Sequence, residues 1–211
     1  MVRLKIAISG KVNSGKDTFS NELAKELYSI DNDASCVFFS FAKPLKDIAE
    51  TMFPLPDMHQ WLWGSSEERK NVIPGAFKDG VPLTVRQLLL DIGTEFGRSY
   101  NKNIWVDSTI FAIDKSISES RRRIPIVTDC RFHNEFKALK ENNFIMIRIK
   151  RDAASNIQHV SDTEQDSIHD NEFDYVIKNN STLHDLELHA RVTAQMITRK
   201  HIEKNSIENQ S

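Results

Sequence analysis

Short apolar runs alternate along this chain with longer segments of helical period. The runs from Leu4 to Ser9, Cys36 to Phe41, Ile124 to Asp129, Phe144 to Lys150 and Tyr175 to Lys178 have strand length. Their apolar density predicts strands buried on both faces. Between them, apolar spacing predicts helices from Lys16 to Tyr28, Pro44 to Met52, Val85 to Phe96, Trp105 to Ser118, Phe132 to Asn142 and Leu183 to Lys200. In the third of these, Val85, Leu88, Leu89 and Ile92 share one stripe at the 3.6-residue period. Strands separated by helices imply an α/β fold: a parallel sheet covered by helices.

Three stretches depart from this pattern. Between Phe53 and Leu83, Pro54, Pro56, Pro74 and Pro82 with Gly64, Gly75 and Gly80 break any long element. The stretch from Asp152 to Asp174 is polar, and both segments are expected to be mobile. The last dozen residues, from Lys200, are polar enough to fray as a C-terminal tail. A length of 211 residues suits one α/β domain, here residues 1–200 with an insertion at 53–83 and a lid at 152–174.

Charge removes several function classes. Lys and Arg number 28 against 30 Asp and Glu, for a net charge of -2, so no global field draws a polyanion to the chain. Nucleic acid is not an expected partner. Cys36 and Cys130 form no CxxC pair and read as thiols of a reducing compartment. The N-terminus mixes charges with apolar residues, unlike a signal peptide, and no run approaches the roughly 20 apolar residues of a membrane helix. A cytoplasmic protein with no membrane partner is expected, and the Asn180-Ser181-Thr182 glycosylation match is then accidental.

The chemistry enters at the end of the first strand. Gly10-Lys11-Val12-Asn13-Ser14-Gly15-Lys16-Asp17-Thr18 follows it, and a helical pattern begins at once with Thr18, Phe19, Leu23 and Leu27. Strand, glycine loop and helix in this order form a phosphate cradle: backbone N–H groups point inward, the helix N-terminus adds its dipole, and Lys16 supplies a point charge. Asp17 stands where Ser or Thr would ordinarily hold Mg²⁺. Either Asp17 reaches the metal through water or Thr18 takes part of that task.

A second constellation ends another strand. Thr128-Asp129-Cys130-Arg131 sets a carboxylate close to a guanidinium, and in parallel sheets ligands sit beyond the carboxyl ends of the strands. Asp129 suits a Mg²⁺ hydration shell or a sugar hydroxyl; Arg131 suits a phosphate. Arg86 opens a helix that leads to Gly93-Thr94-Glu95-Phe96-Gly97-Arg98 and then Ile104-Trp105-Val106, a set able to hold a phosphate and a flat base. Trp105 either stacks on that base or packs in a core.

Together, GKVNSGKDT at Gly10, FAKPLKDIAE at Phe41, VRQLLLDIGTEFGR at Val85, NIWV at Asn103 and TDCRFHNE at Thr128 resemble the deoxynucleoside monophosphate kinases of tailed bacteriophages and their bacterial relatives. The resemblance runs from Lys5 to about Leu188. It implies a three-layer P-loop kinase fold with a central parallel five-stranded sheet, helices on both faces, and substrate-binding and lid segments. The implied reaction moves the γ-phosphoryl of ATP, with Mg²⁺, to a deoxynucleoside 5′-monophosphate, in the host cytoplasm for a viral protein. Gly10, Asn13, Ser14, Gly15, Lys16, Asp17 and Thr18 are then the ATP contacts. Lys11, Arg86, Gly93, Thr94, Trp105, Asp129, Arg131, Phe132 and Glu135 are the monophosphate side, and Asp17, Thr18 and Asp129 the metal side. Phe132 replaces a position often polar in relatives, which leaves the accepted base open; a homodimer also stays open.

In such a site catalysis is mostly positioning and charge neutralisation, with Lys16, Arg131 and Arg151 as the catalytic cations. Arg148 and Arg151 either reach in from the lid or end a solvated strand. His159 and His169 read as solvated lid residues, and Arg121-Arg122-Arg123 as a solvated corner before a strand. Two other readings compete. A dephospho-coenzyme A kinase or other small-metabolite kinase should lack the VRQLL and GTE segments. A GTP switch needs an NKxD pattern, which Asn101-Lys102-Asn103-Ile104 fails, and a DNA-stimulated ATPase should show turnover that rises with DNA and falls with salt.

Overall fold

Because consecutive side chains of a strand point to opposite faces, a strand apolar at every position must be covered on both. The computed structural model, which describes residues 3–152 and 160–208, shows this for the three inner strands of its sheet, whereas the two edge strands, Ser35–Phe39 and Tyr175–Lys178, hold no buried residue. Its elements run β1 (Ile6–Ser9), α1 (Lys16–Ile30), β2 (Ser35–Phe39), α2 (Lys43–Met52), α3 (Met58–Trp63), a 3₁₀ turn (Glu68–Lys70), β3 (Val72–Lys78), β4 (Val81–Thr84) and α4 (Val85–Leu90). A π-helical turn (Asp91–Gly97), α5 (Arg98–Tyr100), α6 (Ile104–Glu119), β5 (Arg123–Val127), α7 (His133–Glu141) and β6 (Ile145–Lys150) follow. The chain closes with α8 (Val160–Ser167), a second 3₁₀ turn (Asp170–Glu172), β7 (Tyr175–Lys178) and α9 (Leu183–Glu208).

Five parallel strands form the central sheet in the order β2-β5-β1-β6-β7. On one face Ile6, Ile8, Ile126, Ile147 and Ile149 meet Phe19, Leu23 and Leu27 of α1 and Leu186, Ala190, Ala194 and Ile197 of α9. Each fully buried Phe, Leu or Ile there contributes about 1.5–3 kcal/mol. The alternate residues Ala7, Val127 and Met146 are buried on the opposite face, together with Phe136 and Leu139 of α7, which packs beside β6. Helices thus cover both faces, the three-layer α/β arrangement that the sequence predicts.

The chain divides into two compact units, Met1–Ser40 with Ala112–Ser211, and Phe41–Phe111. The first holds the sheet. The second has its own core, in which Met58, Leu62, Ile73, Val85 and Leu88 surround Trp105. It is larger than the 53–83 segment that the prolines and glycines mark out.

Four features depart from the pattern read in the sequence. The proline- and glycine-bearing segment contains α3 and an antiparallel hairpin, β3 with β4, turned at Asp79 (φ 52°) and Gly80 (φ 80°). Two successive residues at positive φ make the turn whose twist matches paired strands. The helix expected from Val85 to Phe96 passes from α to π geometry at Asp91. Within the polar 152–174 segment, α8 is helical. At the C-terminus α9 continues to Glu208 instead of fraying near Lys200, with Asn205 buried against His201 at 3.1 Å. Among the described residues, no helix is long and apolar enough to cross a membrane.

Candidate active site

The loop between β1 and α1 has the curl that its glycines foretell. Asn13 (φ 63°) and Gly15 (φ 91°) both take the left-handed conformation, and the Ser14 N–H donates to the Lys11 carbonyl at 3.1 Å. Only glycine adopts φ near 90° without strain, so Gly15 is required where it stands. Gly10 is required by space: a Cβ there would lie 2.5 Å from Ser14 Oγ and 2.9 Å from the Ile149 carbonyl. Successive N–H groups in such a loop, opening directly onto the N-terminus of a 15-residue helix, make an anion-binding concavity. Lys16 is the first helical residue. Its ammonium pairs with Asp17 Oδ1 at 2.7 Å, and the Asp17 side chain is 77% exposed. Thr18 is exposed beside it.

β5 lies next to β1, so Asp129 to Arg131 leave the sheet at the edge that carries this loop. Ser9 Oγ, at the last residue of β1, donates to the Cys130 carbonyl at 2.8 Å and ties the two strand ends together. Asp129 Oδ2 accepts from Ser40 Oγ at 2.7 Å, just past β2. Glu135 is buried, and its Oε2 accepts from the backbone N–H groups of Arg131 and Phe132 at 2.8 and 3.0 Å. That carboxylate therefore fixes the turn carrying Arg131 and starts α7. Phe132 is half-buried at the same turn. The Arg131 guanidinium is half-exposed and, among the described residues, has no hydrogen-bond or ion-pair partner. Burial, reinforced by the carboxylates of Glu135 and Asp129, pushes the Cys130 thiol well above its ordinary pKa, so it stays protonated and inert.

A cavity of about 570 Å³ opens beside the loop, lined by Gly10, Lys11, Ser14, Lys150, Arg151 and Gln165 among others. Lys11 pairs with Asp166 of α8 at 2.6 Å, and Arg151 is exposed just beyond β6. Two buried oxygens here, Ser14 Oγ and Gln165 Oε1, have no partner among the described residues. Arg148 differs from the two readings of it that the sequence offers. Its side chain is only 8% exposed, and it donates to the carbonyls of Ile168 (2.7 Å) and Gln165 and to Asp170 Oδ1 (2.8 Å). Its plane lies 4.5 Å from the Phe173 ring. It is neither a mobile cation reaching inward nor a solvated strand end, because Nη1, Nη2 and one face of the guanidinium are engaged in holding the chain between Gln165 and Phe173. His169 lines the cavity, and His159 lies outside the described residues.

The second unit carries the remaining residues that the sequence singles out. Arg86, in the first turn of α4, and Thr94, on the π-helical turn, are exposed. Gly93 is buried. Trp105 is 5% exposed, and its Nε1 donates to the Gly93 carbonyl at 2.8 Å. That environment matches the packing alternative for the indole, which satisfies a carbonyl of the π turn from the core side.

Three residues near the loop escaped the sequence reading. Ser40 holds Asp129, Gln165 Nε2 donates to Ser9 Oγ at 2.7 Å, and Asn179 Nδ2 donates to the Ser14 carbonyl at 2.8 Å. All are small neutral polar side chains in sequence-distant segments, and no spacing rule links them to the glycine loop. A signal did exist for Asn179: an Asn-Asn pair directly after an apolar strand falls at the sheet edge where ligands bind.

The profile of a family described as deoxynucleotide monophosphate kinase matches residues 63–190. The deoxynucleoside-5′-monophosphate kinase of Escherichia phage T5 is 24% identical over 190 residues, covering 66% of this chain and 73% of the relative. Among solved structures, an unliganded sugar kinase from Janibacter sp. HTCC2649 aligns over 93% of this chain and 96% of its own, at 13% identity and a TM-score of 0.40. A likeness that loose carries no argument.

Proposed function

This chain belongs to the deoxynucleotide monophosphate kinase family and is a kinase; from that premise we propose that it transfers the γ-phosphoryl group of ATP to deoxynucleoside 5′-monophosphates. The observation that carries the proposal is the loop geometry. The family match begins at residue 63, so it does not include Gly10 to Thr18. A left-handed Gly15 opening a helix at the edge of a parallel sheet is therefore independent support for a triphosphate site.

In the proposed mechanism the loop amides, including those of Asn13 and Gly15, and the Lys16 ammonium hold the ATP phosphates. Arg131, with no partner among the described residues and carried on a turn that Glu135 fixes, grips the acceptor phosphate. The two anions repel, so holding them in line is most of the catalytic task. Arg151 screens charge on the group in transit. Lys11 joins them once its exposed pair with Asp166 opens, at a cost of about 0–1 kcal/mol. Arg86 and Thr94 are assigned to the acceptor because the family resemblance places them there.

The donor set fits Mg²⁺, which takes hard oxygen ligands and is ordinarily held by one or two carboxylates together with substrate phosphates. Asp17, Thr18 and Asp129 are the residues that would hold it, and no cluster of three acidic or imidazole ligands occurs among the described residues. When bound, the ion would neutralise charge on the phosphoryl oxygens.

The test is a coupled assay with ATP and, separately, the four deoxynucleoside monophosphates, the ribonucleotides and dephospho-coenzyme A. Turnover of at least one deoxynucleotide, well above dephospho-coenzyme A, is expected. Exclusive turnover of the latter would refute the acceptor assignment. In the same assay Arg131→Ala should raise the acceptor KM by about 10- to 100-fold and leave the ATP KM within about threefold. An effect confined to ATP would contradict the role given to Arg131.

A further inference from the structure

We propose that Asn179 is a positioning residue of the phosphate loop, setting the direction of the Ser14–Gly15 peptide so that the loop is formed before nucleotide arrives. The inference rests on the ATP-site reading above and concerns a residue that lies outside the loop motif. Asn179 is 8% exposed and stands just past β7. Its own backbone N–H donates to the Lys150 carbonyl at 2.7 Å, which fixes its place at the end of the sheet. From there its Nδ2 donates to the Ser14 carbonyl at 2.8 Å, and a Cβ placed on Gly15 would collide with that same nitrogen. The amide therefore lies directly against the Ser14–Gly15 peptide.

A trans peptide points its C=O and N–H in opposite directions. Holding the Ser14 carbonyl toward Asn179 consequently turns the Gly15 N–H away from Asn179. Something must do this, because Gly15 is the N-cap of α1 and has no side chain to cap the helix or to favour one peptide orientation. Glycine visits both signs of φ with similar ease, so an unrestrained loop would spend part of its time with this peptide turned over. Asn180 steadies the turn from its other side: it donates from Nδ2 to Asp152 Oδ2 at 2.6 Å and accepts from the Asp152 N–H at 2.9 Å. The turn after β7 thus bears on the loop through one asparagine and on the residue beyond β6 through the next.

Two variants separate positioning from bulk packing. Asn179→Ala removes the donor and leaves space; Asn179→Asp keeps the volume and sets a carboxylate against a carbonyl, so its loss should be the larger. Calorimetric titration of each with ATP, with inorganic triphosphate and, without ATP, with a deoxynucleoside monophosphate is the measurement. Affinity for ATP and triphosphate should fall about 10- to 100-fold, more in the Asp variant, while monophosphate affinity stays within about threefold. Melting temperatures should stay within a few degrees of the parent. Three results would overturn the proposal: parental ATP affinity in Asn179→Asp, equal losses for ATP and monophosphate, or failure of both variants to fold. Should the parent bind triphosphate but phosphorylate no deoxynucleotide, the acceptor assignment falls and the Asn179 comparison is still read from triphosphate binding.

Discussion

Lys16→Ala is expected to reduce ATP-dependent phosphoryl transfer by about 10³-fold or more while the protein remains folded. The loop amides offer partial charges, whereas Lys16 places a full positive charge at the first helical position. At about 4 Å and an effective dielectric near 20, a unit charge is worth about 4 kcal/mol to an anion, or about 10³ in rate. Stability should hardly change. Among the described residues the ammonium pairs only with Asp17, whose carboxylate is 77% exposed to water, and such pairs are worth about 0–1 kcal/mol. The measurement is kcat/KM for both substrates alongside the melting temperature. Activity retained within about tenfold, in a variant that melts normally, would end the assignment of this loop to ATP.

How much of this was legible beforehand depends on what fixed each element. Every central strand was readable to within two residues at each end, because Ile6, Ile126 and Ile147 on one face and Ala7, Val127 and Met146 on the other keep the strand interiors apolar, interrupted by Arg148 within β6. The hairpin was missed through the weight given to Pro74, Gly75 and Pro82 as breakers. Lys78-Asp79-Gly80-Val81 held the better signal, a two-residue turn that demands positive φ. α8 could not be read by periodicity at all. Of its described side chains Gln165 is the buried one, so the helix exists by tertiary anchoring and not by an apolar face.

The candidate site divides in the same way. Gly10, Gly15 and Lys16 announce themselves because a turn, a close approach and a charge each demand one residue type. Glu135 and Trp105 also stand out in the sequence, the first with a task toward the ligand and the second with core packing as its alternative; the structure gives the carboxylate to backbone N–H groups and the indole to a buried carbonyl. Residue type and spacing report that a polar side chain matters. They do not report whether its partner is a ligand or the protein's own backbone, since both satisfy the same hydrogen-bonding demand.

Arg148→Ala should therefore act on stability before it acts on chemistry. The guanidinium gathers the Gln165 and Ile168 carbonyls and Asp170 Oδ1, and stacks on Phe173. Removing it strands two carbonyls near the end of α8 and leaves Asp170 with Lys150 as its cation, at about 2–4 kcal/mol. The Asp170 arm supplies the smaller share, because that side chain is 44% exposed and screened by water. For a chain of this size the melting temperature should fall by about 5–15 °C. The pH dependence has a definite sign. Its hydrogen bond to Lys150, seconded by Arg148 and opposed by desolvation, holds the Asp170 carboxyl below its ordinary pKa. Its contribution is thus complete above about pH 4 and is lost only as pH falls through the lower folded value. The gap between parent and variant should be constant from about pH 6 to 8 and should narrow below about pH 4. Amide exchange in α8 should accelerate in the variant by more than in α1, since α1 is held by the isoleucine-lined sheet face, whereas α8 is held by a few polar anchors, this cation together with Gln165 and the Lys11–Asp166 pair. A variant that melts with the parent, or whose α8 amides exchange no faster, would show that Arg148 does not anchor the segment.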